Sequence, residues 1–149
     1  MSPLPAPDRV RRILVRVNNW IGDVIMISPA MRAVRHRFPR AEITLLAKPW
    51  VLDTLRGSPY CDRLIEYDRD GAHSGVSGRF RLIRQLRGER YDLALLFQKA
   101  FEAALFAWAA GVPCRVGFRT DHRGGLLTLP LELTPDRHHV EQFLDIARA

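Results

Sequence analysis

Residues 12–47 read RILVRVNNWIGDVIMISPAMRAVRHRFPRAEITLLA, and this stretch decides the fold class. Ile13, Leu14, Val15 and Val17 form a short aliphatic run without clean alternation, the pattern of a strand buried on both faces. Asn18-Asn19-Trp20-Ile21-Gly22-Asp23 follows as a tight polar turn. The helix expected after it is interrupted by Ser28-Pro29. Proline suits a first turn and serine an N-cap, so one turn from Asp23 and then a longer helix are expected. Met31, Val34 and Phe38 form the longer helix's apolar face, Arg32, Arg35 and Arg37 fall outside it, and Pro39 ends it. Glu42 to Ala47 is then a second strand. Strand, helix and strand in this order make the unit of a parallel sheet.

The unit recurs along the chain. Lys48-Pro49-Trp50 reads as a turn, Val51 to Leu55 as a short helix and Arg63 to Tyr67 as a strand. Asp68 to Gly78 (DRDGAHSGVSG) is a Gly/Ser loop, and Arg79 to Gly88 is a basic amphipathic helix with Phe80, Leu82, Ile83 and Leu86 on one arc. Tyr91 to Phe97 is a strand. Lys99 to Ala110 is a helix apolar nearly all round, with Phe101, Ala104, Leu105 and Trp108 as one stripe. Cys114 to Phe118 closes a set of about five strands and as many helices. Residues 126–133 carry no clear pattern, and Thr134-Pro135 is expected to cap a last helix with Val140, Phe143, Leu144 and Ala147 at i, i+3, i+4 and i+7. The fold class is therefore α/β, a Rossmann-like doubly wound parallel sheet over residues 12–149, preceded by a frayed tail, 1–11. The chain stops inside a helical pattern with no closing Gly or Pro, so the natural polypeptide is expected to continue.

The composition fits one such domain. With 149 residues and a mass of 17.1 kDa, the folded surface should be roughly 7,800 Å² against roughly 25,000 Å² unfolded, enough burial for a self-supporting core. A hydrophobic fraction of 47% with 26% charged residues excludes a disordered or fibrous chain. Cys61 and Cys114 have no metal-ligand spacing and encode no disulfide framework, which makes a reducing, cytoplasmic setting the default. No secretory leader and no membrane-length apolar run are visible.

Function in such a sheet gathers in the turns after the strands. Those turns carry Asn18 to Asp23, Lys48 to Trp50, Asp68 to Gly78, Gln98-Lys99 and Arg119 to Gly125. Lys48, Lys99, Arg119, His122 and Arg123 would share one rim, and the formal charge of +7 fits either an anionic ligand or a solvated basic surface. Asp23, after Gly22, is either a helix cap held by backbone N–H groups or a catalytic carboxylate. No Gly-Lys-Ser/Thr or GxGxxG pattern supports a nucleotide loop, and the five histidines have no ligand spacing for a metal. The apolar helix 99–110 is either core or a flank for a second domain or a membrane surface.

Read together, ILVRVNNWIGDVIMISPAMRAVRHRFPRAEITLLAKPWVLDTL, RLIRQLRGERYDLALLF and AGVPCRVGFRTDHRGGLL resemble the N-terminal half of the ADP-heptose:lipopolysaccharide heptosyltransferases. The Trp-x-Gly-Asp turn after the first strand is similar to the heptosyltransferase II branch. The resemblance implies the first of two Rossmann-like domains of a GT-B glycosyltransferase, binding the lipopolysaccharide inner-core acceptor, while a C-terminal domain absent from this chain binds ADP-heptose. It implies that Asp23 is the general base of an inverting transfer, that no cofactor or metal is needed, and that this chain alone is inactive. Asn18, Asn19, Trp20, Gly22, Lys48, Trp50, Lys99, Arg119 and Arg123 are the acceptor-binding candidates it implies. The chain departs from that branch at Gln98-Lys99-Ala100-Phe101-Glu102, where an Asn-Ser pair and a later Lys are more typical. A cytoplasmic protein, with peripheral contact at the inner membrane as an option and no nucleic-acid partner, follows from this reading. The rival is a non-enzymatic basic α/β module binding nucleic acid or an anionic membrane surface, for which net charge is the support.

Overall fold

Six strands lie parallel in the order β3-β2-β1-β4-β5-β6. They are β1 (Arg12–Arg16), β2 (Glu42–Ala47), β3 (Arg63–Glu66), β4 (Leu93–Leu96), β5 (Cys114–Phe118) and β6 (Leu129–Leu131). The structure is a computed structural model and describes residues 4–134 and 136–149. The helices are α1 (Ile21–Met26), α2 (Ser28–Arg37), α3 (Pro49–Leu55), α4 (Gly75–Glu89), α5 (Phe101–Ala109) and α6 (His139–Arg148). Among the described residues, no helix is long and apolar enough to cross a membrane.

Strand parity divides the core. Ile13, Val15, Ile43, Leu45, Leu93, Leu95, Val116 and Phe118 pack with α1, α2, α3 and α6. Leu14, Leu46, Ala94 and Leu96 pack on the opposite face with Leu82 and Leu86 of α4 and Ala104, Phe106 and Ala107 of α5. Side chains alternate across a strand, so a strand with helices on both faces must be apolar at successive positions. The chain runs outward from β1 to β2 and β3, then returns to β4 on the other side of β1. That reversal opens a crevice beyond the carboxyl ends of β1 and β4.

Several expectations are corrected. A sixth strand exists: Val116, Gly117 and Phe118 pair with Leu129, Pro130 and Leu131. It is three residues long and contains a proline, tolerable at an edge where one N–H has no partner to serve. Helix α4 starts at Gly75, inside the expected loop, because Gly75 takes φ of +64° at the turn into it and Gly78 packs on the backbone of His73. A Cβ at Gly78 would lie 2.3 Å from the His73 carbonyl carbon. The buried stripe of α4 is accordingly Gly78, Leu82 and Leu86, and Phe80 is 63% exposed.

In α5 the buried side is Ala103, Ala104, Phe106 and Ala107, while Phe101 and Trp108 of the expected stripe are exposed. The small residues let the helix approach the sheet, and Phe106 meets Tyr67 edge-on at 5.2 Å. Helix α6 is capped by His138, whose Nδ1 accepts from Val140 N–H at 3.2 Å, and Thr134 lies outside the helix. Pro135, its expected capping partner, lies outside the described residues. Ile27 occupies the cap position before α2 and Ser28 makes no capping bond. Within the expected tail, Pro7–Arg9 forms a 3-10 turn and Val10 is buried.

Candidate functional site

Two adjoining recesses lie at the crevice. The first, about 280 Å³, is lined by Asn18, Asn19, Trp20 and Asp23 from the β1 side, by Gln98, Lys99 and Ala100 after β4, and by His139. Asp23 is the third residue of α1 and half-buried. Its carboxylate accepts no hydrogen bond among the described residues, and the cap position is held by Trp20 without any side-chain bond. The helix-cap reading of Asp23 is thus corrected: its oxygens are left to the recess. Gly22 is helical with ordinary φ, so it does not supply the sharp turn expected of it. A Cβ there would meet nothing within 4 Å, and Gly22 is exposed and lines neither recess.

Lys99 reaches into the same recess. Its Nζ donates to Gln142 Oε1 at 3.0 Å and lies 5.7 Å from the centre of the Phe118 ring. Burial pulls its pKa below the ordinary lysine value, and the Asp23 carboxylate opposes that shift. Asn18 Oδ1 is buried without a partner among the described residues. An orphaned acceptor of this kind is costly unless a ligand or water supplies a donor.

The second recess, about 310 Å³, is walled by Arg16, Asn19, Lys48, Arg69, Gln98 and the first turn of α5. Arg16, 4% exposed, ends β1 on the face that carries Leu14. Its guanidinium donates to Val17 O at 2.6 Å, Leu46 O at 3.4 Å and Asn19 Oδ1 at 3.0 Å. Desolvation lowers its pKa to about 10, against the raising effects of Glu102 and Tyr67. Trp50 donates its Nε1–H to Asn19 O at 2.7 Å, so Asn19 is held by side chain and backbone at once. Tyr67 O–H donates to Glu102 Oε1 at 2.7 Å, and Arg79 Nε donates to Glu102 Oε2 at 3.0 Å.

The structure brings Asn18, Asn19, Trp20, Asp23, Lys48 and Lys99 to these recesses. Trp50, 52% exposed, borders them through its bond to Asn19. Gly22, Arg119 and Arg123 are not among the lining residues. Arg119 is exposed and pairs with Glu132 at 3.3 Å. Arg123, expected to meet ligand anions, is 0% exposed. Asp121 and His122, with φ of +51° and +57°, turn the loop before it. Its guanidinium then donates to Phe118 O at 2.9 Å, Gln98 O at 2.7 Å and Ala100 O at 3.1 Å. It clamps the loops after β4 and β5 from beneath, and desolvation lowers its pKa to about 10.

Arg16, Glu102 and His139 were not singled out from sequence, and Arg69 entered only as part of the Asp68 to Gly78 turn. Arg16 alone had a signal there: a charge inside an aliphatic strand run must be paired or stand at the strand's functional end.

An all-parallel doubly wound α/β sheet with its recesses at the strand-order reversal defines the class, a Rossmann-like domain. Its sheet matches the N-terminal part of solved heptosyltransferase structures. The model of glycosyltransferase family 9 (heptosyltransferase) matches residues 79–149. Lipopolysaccharide heptosyltransferase 2 of Escherichia coli strain K12 is 33% identical over 116 residues, covering 78% of this chain and 33% of that protein. Lipooligosaccharide heptosyltransferase 2 of Haemophilus ducreyi is 24% identical over 116 residues, 78% of this chain and 33% of its own. The solved structure of E. coli ADP-heptose lps heptosyltransferase II superposes with a TM-score of 0.81 at 30% identity, over 91% of this chain and 40% of that one. A family 9 glycosyltransferase from Veillonella parvula gives 0.83 at 21% identity, over 93% of this chain and 41% of that one, a likeness of fold. Over residues 79–149 the chain matches glycosyltransferase family 9, the heptosyltransferases, and over 78% of its length it is similar to a lipopolysaccharide heptosyltransferase 2. It spans about a third of the length of the curated relatives it matches.

Proposed function

We propose that this chain is the acceptor-binding part of an inverting glycosyltransferase that moves heptose from ADP-heptose to the lipopolysaccharide inner core, with Asp23 as general base. The observation that carries the reading is the Asp23 carboxylate, free of hydrogen bonds among the described residues and facing a recess at the switch point. A base must keep an oxygen available within reach of the hydroxyl it deprotonates. A diphosphate leaves as an anion and needs little protonation, so one base suffices for displacement with inversion.

Asn18, Asn19, Trp20, Lys48, Trp50 and Lys99 form the acceptor side on this reading, with Arg119 at the outer rim. ADP-heptose is held by a second domain beyond these 149 residues, and the chain alone does not turn over. The protein works in the cytoplasm against the inner membrane, where exposed Trp20, Ile21 and Ile25 offer apolar contact.

The test joins this chain to the donor-binding half of E. coli lipopolysaccharide heptosyltransferase II and compares Asp23→Asn with the parent. Loss of a positioned general base should lower kcat by about 10²- to 10⁴-fold with little change in acceptor KM. Near-normal kcat in Asp23→Asn would remove the assignment.

A further inference from the structure

The layer formed by α4 and α5 turns an apolar and basic surface to solvent. The two helices are tied by Arg79 Nε, which donates to Glu102 Oε2 at 3.0 Å. Their small and aliphatic stripes lie against the sheet. The sides turned away carry Val76 and Phe80, four positions apart on α4, and Phe101 and Trp108, seven apart on α5, all exposed. Residues at these spacings share one side of a helix. Four large apolar side chains gathered on one layer mark an interaction surface rather than scattered exposure.

The cations on this layer lack counterions. Arg84 and Arg87 are exposed and form no ion pair among the described residues, and Arg81 donates to Ala72 O at 2.9 Å without meeting a carboxylate. The two carboxylates of these helices are already engaged, Glu102 by Arg79 and Glu89 by Arg63 and Arg12. Around α2, α3 and α6, by contrast, Arg35, Arg56 and Arg137 each pair with an aspartate. A second copy docked on this face about a two-fold axis would set the free arginines against their own kind. An anionic lipid surface satisfies both features at once: the aromatic rings enter the boundary between headgroups and acyl chains, and the guanidinium groups meet lipid phosphates.

We infer that the outer side of α4 and α5 docks on a membrane surface carrying anionic phospholipid, with Phe80, Phe101 and Trp108 as interfacial anchors and Arg81, Arg84 and Arg87 as charge partners. Phe101 also lines the recess walled by Arg16 and Lys48, so docking sets the edge of the crevice at headgroup level. That an acceptor is presented from the same membrane rests on the glycosyltransfer reading above; the docking surface stands on α4 and α5. Ile25 of α1 lies on the other layer of the fold, so the two contacts are separable by mutation.

The test is sedimentation of this chain with vesicles of phosphatidylcholine alone and of phosphatidylcholine mixed with phosphatidylglycerol. The mixed vesicles should carry the chain down and the zwitterionic ones should not, and binding should fall as sodium chloride is raised. Arg84→Gln combined with Arg87→Gln should weaken binding by about tenfold or more. Phe80→Ser and Trp108→Ser, both at exposed positions, should each weaken it severalfold while far-UV circular dichroism stays native-like. Equal binding to the two vesicle types, or undiminished binding by these native-like variants, would overturn the surface. Loss of sedimentation in Ile25→Ser with full binding by the α4 and α5 variants would place the contact at α1, overturning this surface and keeping the membrane contact proposed above. No sedimentation of the folded parent would remove both contacts, and the kcat of Asp23→Asn decides the transfer reading separately.

Discussion

The Trp50 indole donates its N–H to the backbone carbonyl of Asn19 at 2.7 Å, tying the start of α3 to the loop between β1 and α1. The same Asn19 accepts from Arg16 through its side chain at 3.0 Å. The loop that leads to Asp23 is therefore fixed from two sides by groups outside it.

Trp50→Phe keeps the ring and removes the donor. Net loss of one such hydrogen bond is worth about 0.5–1.5 kcal/mol, and backbone amide exchange across residues 18–21 should accelerate by a comparable factor. Unchanged exchange in that loop would show that Arg16 alone holds it.

Arg119 and Arg123 stand four positions apart and should behave oppositely. Arg123→Ala takes a donor from three carbonyl oxygens; Phe118 O and Ala100 O keep the N–H groups of Thr120 and Ala103, and Gln98 O is left with none among the described residues, a loss of about 1–3 kcal/mol. Arg119→Ala removes an exposed ion pair with Glu132 and should stay within about 0.5 kcal/mol. Urea unfolding of the two variants compares them directly, and similar midpoints would contradict the clamp.

Lys48 gives a pH dependence with a defined sign. Its folded pKa is below the ordinary value of 10.5, so between the two values the unfolded chain binds more protons and stability rises with pH. Below the folded pKa the full penalty of the buried charge is present. Lys48→Met removes that penalty, so its Tm advantage over the parent should be greatest near neutral pH and shrink as pH climbs through the window to 10.5. A Tm difference that does not fall with pH would show that the ammonium is not destabilised by burial.

Gly22→Ala separates backbone from ligand space. Gly22 has ordinary helical φ and no atom within 4 Å of an added Cβ, so alanine should stabilise α1, by up to about 1 kcal/mol. Gly22 lines neither recess, so acceptor binding in the two-half enzyme should be unchanged. Lower stability would mean that the position needs glycine's backbone after all.

The alternation of strand and helix was legible because each strand's apolar run and each helix's stripe are local patterns. Cys114 to Phe118 and Glu42 to Ala47 stand in the structure at their expected bounds. Phe80, Phe101 and Trp108 were not legible. A helix as apolar as α5 has no contrasting face from which to read a direction, and Gly78, counted as loop, is the residue that seats α4. The edge strand β6 escaped because three residues around a proline carry almost no strand signal.

By itself the sequence determined an α/β chain, the segment after β1 that carries Asp23, and the set of polar residues after the strands. Strand order, and with it the crevice between β1 and β4, depends on which distant strands pair, and only the tertiary structure decided it. The same holds for two arginines of identical chemistry: Arg123 is pulled inside by carbonyls from three separate positions, and Arg119 is left at the surface. A charge in a loop sequence looks the same in either case, because desolvation and the acceptors that offset it come from residues remote along the chain.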